Sequence, residues 1–183
     1  MEELPKVIGY SYDLDKRMAE LKDILYKVPL TSSYGNMNAE VKGICFDSRK
    51  VQPGFLFVAV KGTVSDGHEF IPKAISLGAT IIICENIPGT VDEKVTYVTV
   101  KDSARAMGIV AANFFGNPSE KLKLIGVTGT NGKTTTVTLL YQLFSRMGYK
   151  SGMISTVENR IADQIIPSTH TTPDPLQLNE LLK

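Results

Sequence analysis

From Leu122 to Thr136 the chain reads Leu-Lys-Leu-Ile-Gly-Val-Thr-Gly-Thr-Asn-Gly-Lys-Thr-Thr-Thr. An apolar segment runs into a glycine-rich turn, and the turn opens a helical pattern that continues to Met147. A turn of this kind between strand and helix is the phosphate-binding corner of an α/β sheet. Small residues let the backbone curl so that its N–H groups converge on an anion, and the helix adds the positive end of its dipole. Gly129, Thr130, Asn131, Gly132, Lys133, Thr134 and Thr135 are therefore the expected nucleotide loop. Lys133 supplies a mobile cation for the β- and γ-phosphates and is the candidate catalytic residue; the Thr134 hydroxyl is the candidate metal ligand. The expected cofactors are ATP and Mg²⁺. The general pattern wants glycine at 127, where this chain has Val127, so a variant loop is expected.

The rest of the chain supplies the sheet such a corner needs. Phe55 to Val60 is a continuous apolar run, as in a strand buried on both faces, and Thr80 to Cys84 and Val95 to Val100 read as further buried strands. Val41 to Phe46 is a further strand. Leu14 to Tyr26, Phe70 to Leu77 and Ser103 to Phe115 have helical spacing, the second closing at Gly78. Thr31 to Asn38 reads as loop. Around the phosphate corner, Leu122 to Val127 and Ser151 to Ser155 read as strands. A final helix starts near Pro175, with Asp174 as its N-cap.

Alternating strands and helices predict an α/β fold with a parallel or mixed sheet. Gly116-Asn117-Pro118 is the best boundary, because helix end, turn and proline coincide there. The expected organisation is an N-terminal α/β domain with a mixed sheet over residues 1–118. Residues 119–183 would begin a second, incomplete α/β domain with a parallel sheet. The sequence stops inside a helical pattern, which predicts a piece of a longer protein.

Composition removes several function classes. The 20 basic and 19 acidic residues leave a formal charge of +1, so nothing in the bulk electrostatics draws the chain to nucleic acid or an anionic membrane. No run approaches the roughly 18 apolar residues of a membrane span, and Met1 to Pro5 lacks the pattern of a signal peptide. A cytoplasmic protein is expected. Cys45 and Cys84 each sit in an apolar run, as buried thiols do, without C-x-x-C or clustered histidine.

Several polar residues stay open on their own chemistry. Asp47-Ser48 is an ordinary turn or cap, or it offers a hydroxyl to a uridine or phosphate oxygen. Arg49 can pair with Asp47 or with a phosphate. Thr63-Val64-Ser65 is a solvated loop or one that closes on a ligand. Asn131 shapes the turn, touches substrate, or both. His68 reads as a loop or helix-start residue.

Four segments, in order, resemble the Mur ligases, the ATP-dependent amide-forming enzymes of peptidoglycan synthesis. They are Phe46-Asp47-Ser48-Arg49-Lys50-Val51-Gln52-Pro53-Gly54 with Leu56-Phe57-Val58-Ala59, Lys61-Gly62 through Asp66-Gly67-His68-Glu69-Phe70-Ile71, the loop 129–135, and Ser168-Thr169-His170-Thr171-Thr172-Pro173-Asp174. The last resembles the segment of the MurE branch that contacts the muramyl-peptide substrate. The resemblance implies phosphorylation of the D-glutamyl carboxylate of UDP-N-acetylmuramoyl-L-alanyl-D-glutamate by ATP. The amine of a diamino acid, meso-diaminopimelate or L-lysine, then attacks the acyl phosphate. It implies substrate contacts from Phe46, Ser48, Thr63, Val64, Ser65, Asn131, His170, Thr171 and Thr172. Family members are longer and have three domains, so the chain as given is expected to be inactive alone. Two other classes remain open: a P-loop protein of kinase type, and a non-catalytic UDP-sugar-binding module in the first 115 residues. No guanine-reading Asn-Lys-x-Asp is present to support a GTPase.

Overall fold

The computed structural model describes residues 19–62, 65–162, 164–167 and 172–183. In chain order the elements are β1 (Ala19–Glu20), α1 (Leu21–Ile24), β2 (Leu30–Tyr34), β3 (Glu40–Val41), β4 (Gly43–Cys45), β5 (Phe55–Val58), α2 (Ile71–Ser76), β6 (Ile81–Cys84), β7 (Thr96–Val100), α3 (Ser103–Phe114), α4 (Lys133–Arg146), β8 (Gly152–Ile154), β9 (Glu158–Ile161), β10 (Gln164–Pro167) and α5 (Pro175–Leu182). Short 3₁₀ turns occupy Ser48–Lys50, Gly67–Phe70 and Pro118–Lys121.

The main sheet has the order β2-β7-β6-β5-β4. β4, β5, β6 and β7 are parallel, and β2 is antiparallel to β7, so the sheet is mixed, as expected. Side chains alternate across it. Leu56, Val58, Ile81, Ile83, Val98 and Val100 face a layer made with Leu21, Ile24, Met107, Val110 and Phe114. Phe57, Ile82, Cys84 and Tyr97 face the opposite layer, with Ile71 and Ala74 of α2. Both faces are covered, which is why β5 and β6 read as unbroken apolar runs. Each such side chain taken from water contributes about 1.5–3 kcal/mol. α5 docks on the first layer, where Leu176 is buried beside the α3 residues. Its N-terminus is held as expected: the Asp174 carboxylate accepts the N–H groups of Leu176 and Gln177, both at 2.9 Å.

Four expectations are corrected. The helix over 14–26 is, among the described residues, a strand pair and one helical turn. Ala19 lies opposite Val41, and Leu21 N–H donates to Ala39 O, so strand pairing captures the first described residues of the segment. The loop over 31–38 begins with strand β2. All five β2 residues are exposed at the sheet edge, where polar side chains are tolerated, and Ser32 Oγ lies 2.6 Å from Thr99 Oγ1. Leu122 to Val127 forms no strand; Leu124 and Ile125 are 62% and 57% exposed. A parallel strand needs a neighbour, and β8, expected as that neighbour, pairs instead with β9 in an antiparallel sheet of order β10-β9-β8. The expected parallel second sheet is thus replaced, among the described residues, by this three-stranded one.

Candidate functional site

The glycine loop leads directly into α4. Gly129 (φ 147°) and Gly132 (φ 77°) lie in the left-handed region that glycine adopts without strain. The first N–H groups of any helix lack intrahelical partners. In α3 the Asp102 carboxylate caps them, accepting from Arg105 N–H at 2.8 Å, and in α5 Asp174 does so. α4 has no side-chain cap. Its open N-terminus, with the positive end of the helix dipole, is suited to an anion. Thr130, Asn131, Gly132, Lys133 and Thr135 are exposed there, and Thr134 is half-buried.

The Lys133 ammonium does not point outward. Nζ donates to Gly129 O at 2.5 Å and Thr130 O at 3.3 Å, folding back on the loop's own carbonyls. A bound phosphate would exchange these for ion-paired hydrogen bonds, which are shorter and stronger. Among the described residues no cluster of three or more His, Cys, Asp or Glu could hold a metal ion. The hydroxyl expected from the sequence to meet Mg²⁺ belongs to Thr134, half-buried in the first turn of α4. A single hydroxyl is compatible with that ion, which keeps several waters and takes phosphate oxygens as ligands.

A second set of candidates lies at the carboxyl edge of the main sheet, where open α/β sheets bind ligands. β4 runs into Phe46, Asp47 and Ser48. Phe46 is partly exposed and Ser48 buried. Asp47 Oδ1 accepts Arg49 N–H at 3.0 Å, and the guanidinium grips both carboxylate oxygens from Nε and Nη2 at 2.8–3.2 Å. Arg49 therefore pairs with Asp47. Its side-chain hydrogen bonds are the main reason that the Asp47 carboxyl is held below its ordinary range. β5 runs into the 61–66 loop, where Lys61 pairs with Asp66 and Gly62 N–H donates to Ser65 O at 3.0 Å. Ser65 is exposed.

Ser48 and Ser65 thus follow neighbouring parallel strands and share one edge. Thr63, Val64, His170 and Thr171 lie outside the described residues. Thr172 is exposed, just ahead of the capped α5. Among the described residues, no hydrogen bond or ion pair joins the 129–135 loop to Phe46, Ser48 or Ser65.

His68 sits in a 3₁₀ turn capped by Asp66, as a helix-start residue should. Its imidazole also reaches further, to Glu85 and through it to Ser103. Glu85 and Ser103 escape a motif search. The available signal is position: Glu85 follows an all-apolar strand directly, so it must stand at the carboxyl edge. Cys45 and Cys84 are buried free thiols. Burial pushes them up to about 12 and about 11, which keeps them protonated and out of any nucleophilic role.

Two family models match this chain: the Mur ligase family catalytic domain over residues 40–115 and the Mur ligase middle domain over residues 127–183. The chain belongs to the Mur ligase family. Among curated relatives, the UDP-N-acetylmuramoyl-L-alanyl-D-glutamate–2,6-diaminopimelate ligase of Cytophaga hutchinsonii is 56% identical over 166 residues. That match covers 89% of this chain and 34% of the relative. The ligase of the same name from Bacteroides fragilis is 53% identical over 163 residues, with the same two coverages of 89% and 34%. The chain therefore spans about a third of the length of the curated relatives it matches. A solved UDP-N-acetylmuramoyl-L-alanyl-D-glutamate–2,6-diaminopimelate ligase superposes with a TM-score of 0.67 at 26% identity, covering 91% of this chain and 33% of that one. A UDP-N-acetylmuramoylalanyl-D-glutamyl-2,6-diaminopimelate–D-alanyl-D-alanyl ligase from Acinetobacter baumannii gives 0.53 at 28% identity, covering 72% and 29%.

Proposed function

We propose that this chain forms the opening part of a cytoplasmic, ATP-dependent ligase of peptidoglycan synthesis. The ligase joins a diamino acid to UDP-N-acetylmuramoyl-L-alanyl-D-glutamate. The names of the relatives favour 2,6-diaminopimelate over L-lysine as that diamino acid. Residues 1–118 hold the UDP substrate and residues 119–183 open the ATP-binding domain. Phe46, Ser48 and Ser65 serve the UDP half at the sheet edge; Asn131 and Thr172 meet the peptide half.

The observation that carries this reading is the uncapped N-terminus of α4 with Lys133 in its first turn. In the reaction, a D-glutamyl carboxylate oxygen forms a bond to the γ-phosphorus and ADP departs. The amine then attacks the acyl carbon, loses its proton, and phosphate leaves. Lys133 neutralises charge on the transferred group, and the loop N–H groups fix its position. Thr134 would hold Mg²⁺ in part, and the ion would supply further charge neutralisation. No helix among the described residues is long and apolar enough to cross a membrane.

Separate calorimetric titrations with UDP-N-acetylmuramoyl-L-alanyl-D-glutamate and with ATP test the reading. Both are expected to bind, at sites that do not compete. Ser48→Ala should weaken the UDP compound about fivefold, the worth of one hydrogen bond, and leave ATP alone. Binding of ATP with no affinity for the UDP compound would turn the reading to a kinase-type P-loop protein. The reverse would leave a UDP-sugar-binding module.

A further inference from the structure

Loops at the end of a parallel sheet are positioned only by what ties them together. Here one closed ring of polar contacts does so. Lys61 N–H donates to Ser103 Oγ at 3.1 Å. The Ser103 hydroxyl and N–H donate to Glu85 Oε1 at 2.8 and 3.0 Å. Glu85 N–H donates to His68 Nε2 at 2.8 Å. His68 Nδ1 lies 2.6 Å from Asp66 Oδ1, and Asp66 stands opposite Lys61 in a bridge closed by the main-chain bonds of Gly62 N–H to Ser65 O and Gly67 N–H to Val60 O. The ring links the segment after β5, the turn before α2, the end of β6 and the start of α3.

The donors and acceptors fix its sense. Nε2 accepts a main-chain N–H, so the imidazole proton is on Nδ1, directed at Asp66. The Glu85 carboxyl is held below its ordinary range first by Ser103 N–H, and Asp66 first by His68 N–H. Both carboxylates are thus engaged by N–H donors inside the ring. Gly67 lets the turn lie this close: its N–H donates to Val60 O at 2.9 Å, and a Cβ there would stand 2.6 Å from that oxygen. Ser103 is fully buried at the start of α3, so the ring is anchored at one end in the interior and reaches the exposed Lys61 at the other. What the ring orders is Lys61 and Asp66 and, through Gly62, the exposed Ser65.

We infer that His68 is a positioning residue for the UDP compound, acting through this ring to hold Lys61, Gly62 and Ser65 at the sheet edge that carries Ser48. The inference rests on the proposed function above, because it assigns that edge to the UDP compound.

The test compares the wild-type chain with His68→Ala, His68→Gln, Ser103→Ala and the His68→Ala/Ser103→Ala double variant. UDP-N-acetylmuramoyl-L-alanyl-D-glutamate and ATP are titrated separately, and each variant's thermal unfolding is recorded. Each alanine variant should weaken the UDP compound about tenfold and leave ATP affinity unchanged. The double variant should be no weaker than the weaker single one, since a ring broken once is already open. His68→Gln should recover most of the affinity, because its Oε1 can accept Glu85 N–H. Should His68→Ala unfold, Ser103→Ala and His68→Gln carry the same test. Wild-type affinity in both alanine variants, or losses that simply add in the double variant, would overturn the inference while leaving the functional reading intact. A wild-type chain with no affinity for the UDP compound would sink both.

Discussion

β5 and β6 are short apolar strands, and α4 is a long helix with an apolar face of its own. All eight strand residues are buried. In α4 none is, and Leu139 and Leu143 are 60% and 52% exposed. The strands lie in a sheet with a layer on each side; α4 meets β8 and little else of comparable size. The contrast separates two kinds of specification. A phosphate loop is written locally, in Gly129, Gly132 and Lys133, and needs few neighbours to take its shape. Burial is collective, and must be supplied by other chain. The relatives are about three times as long as this chain, so they have further chain with which to cover such a helix.

The contrast can be broken by truncating one side chain in each region. Phe57→Ala should cost about 4 kcal/mol in urea unfolding, since Phe57 is fully buried in the core. Between the extremes, Lys133→Ala should reduce ATP affinity roughly 30-fold, about 2 kcal/mol, in calorimetry while leaving the unfolding midpoint in place. An unchanged affinity would mean that the ammonium stays on the Gly129 and Thr130 carbonyls when nucleotide binds. The smallest effect is expected at Leu143→Ala, under about 0.5 kcal/mol in the same unfolding experiment. A cost there approaching that of Phe57→Ala would show that α4 is covered in solution and would remove the contrast.

β5 and β6 were legible because double-sided burial leaves no polar residue in the run, and α2 and α3 because their spacing is helical and glycine or proline follows. β2 was hidden for the opposite reason. At an edge, Thr31, Ser32 and Ser33 satisfy themselves with solvent and with Thr99, so no periodic apolar signal remains. Leu122 to Val127 carries a strand pattern, but a pattern without a partner strand makes no ladder. In the site, the loop was readable because glycine and lysine have few other reasons to occur in that order. The Asp47–Arg49 pair was one of two open alternatives. The link from His68 to Glu85 and Ser103 spans residues 17 and 18 apart in sequence, and only the parallel sheet brings them to one edge.

α5 returns to the helix from which the chain departed. Leu176 closes the apolar layer over α3, so the path from Gly116 to Asp174 is an excursion fastened at both ends. Closing such an excursion costs free energy that grows only with the logarithm of its length. Its interior can therefore lengthen or change sequence while the docking survives. A single nick in the exposed 122–132 stretch would yield two polypeptides still joined along that seam, migrating as one particle until a denaturant parts them.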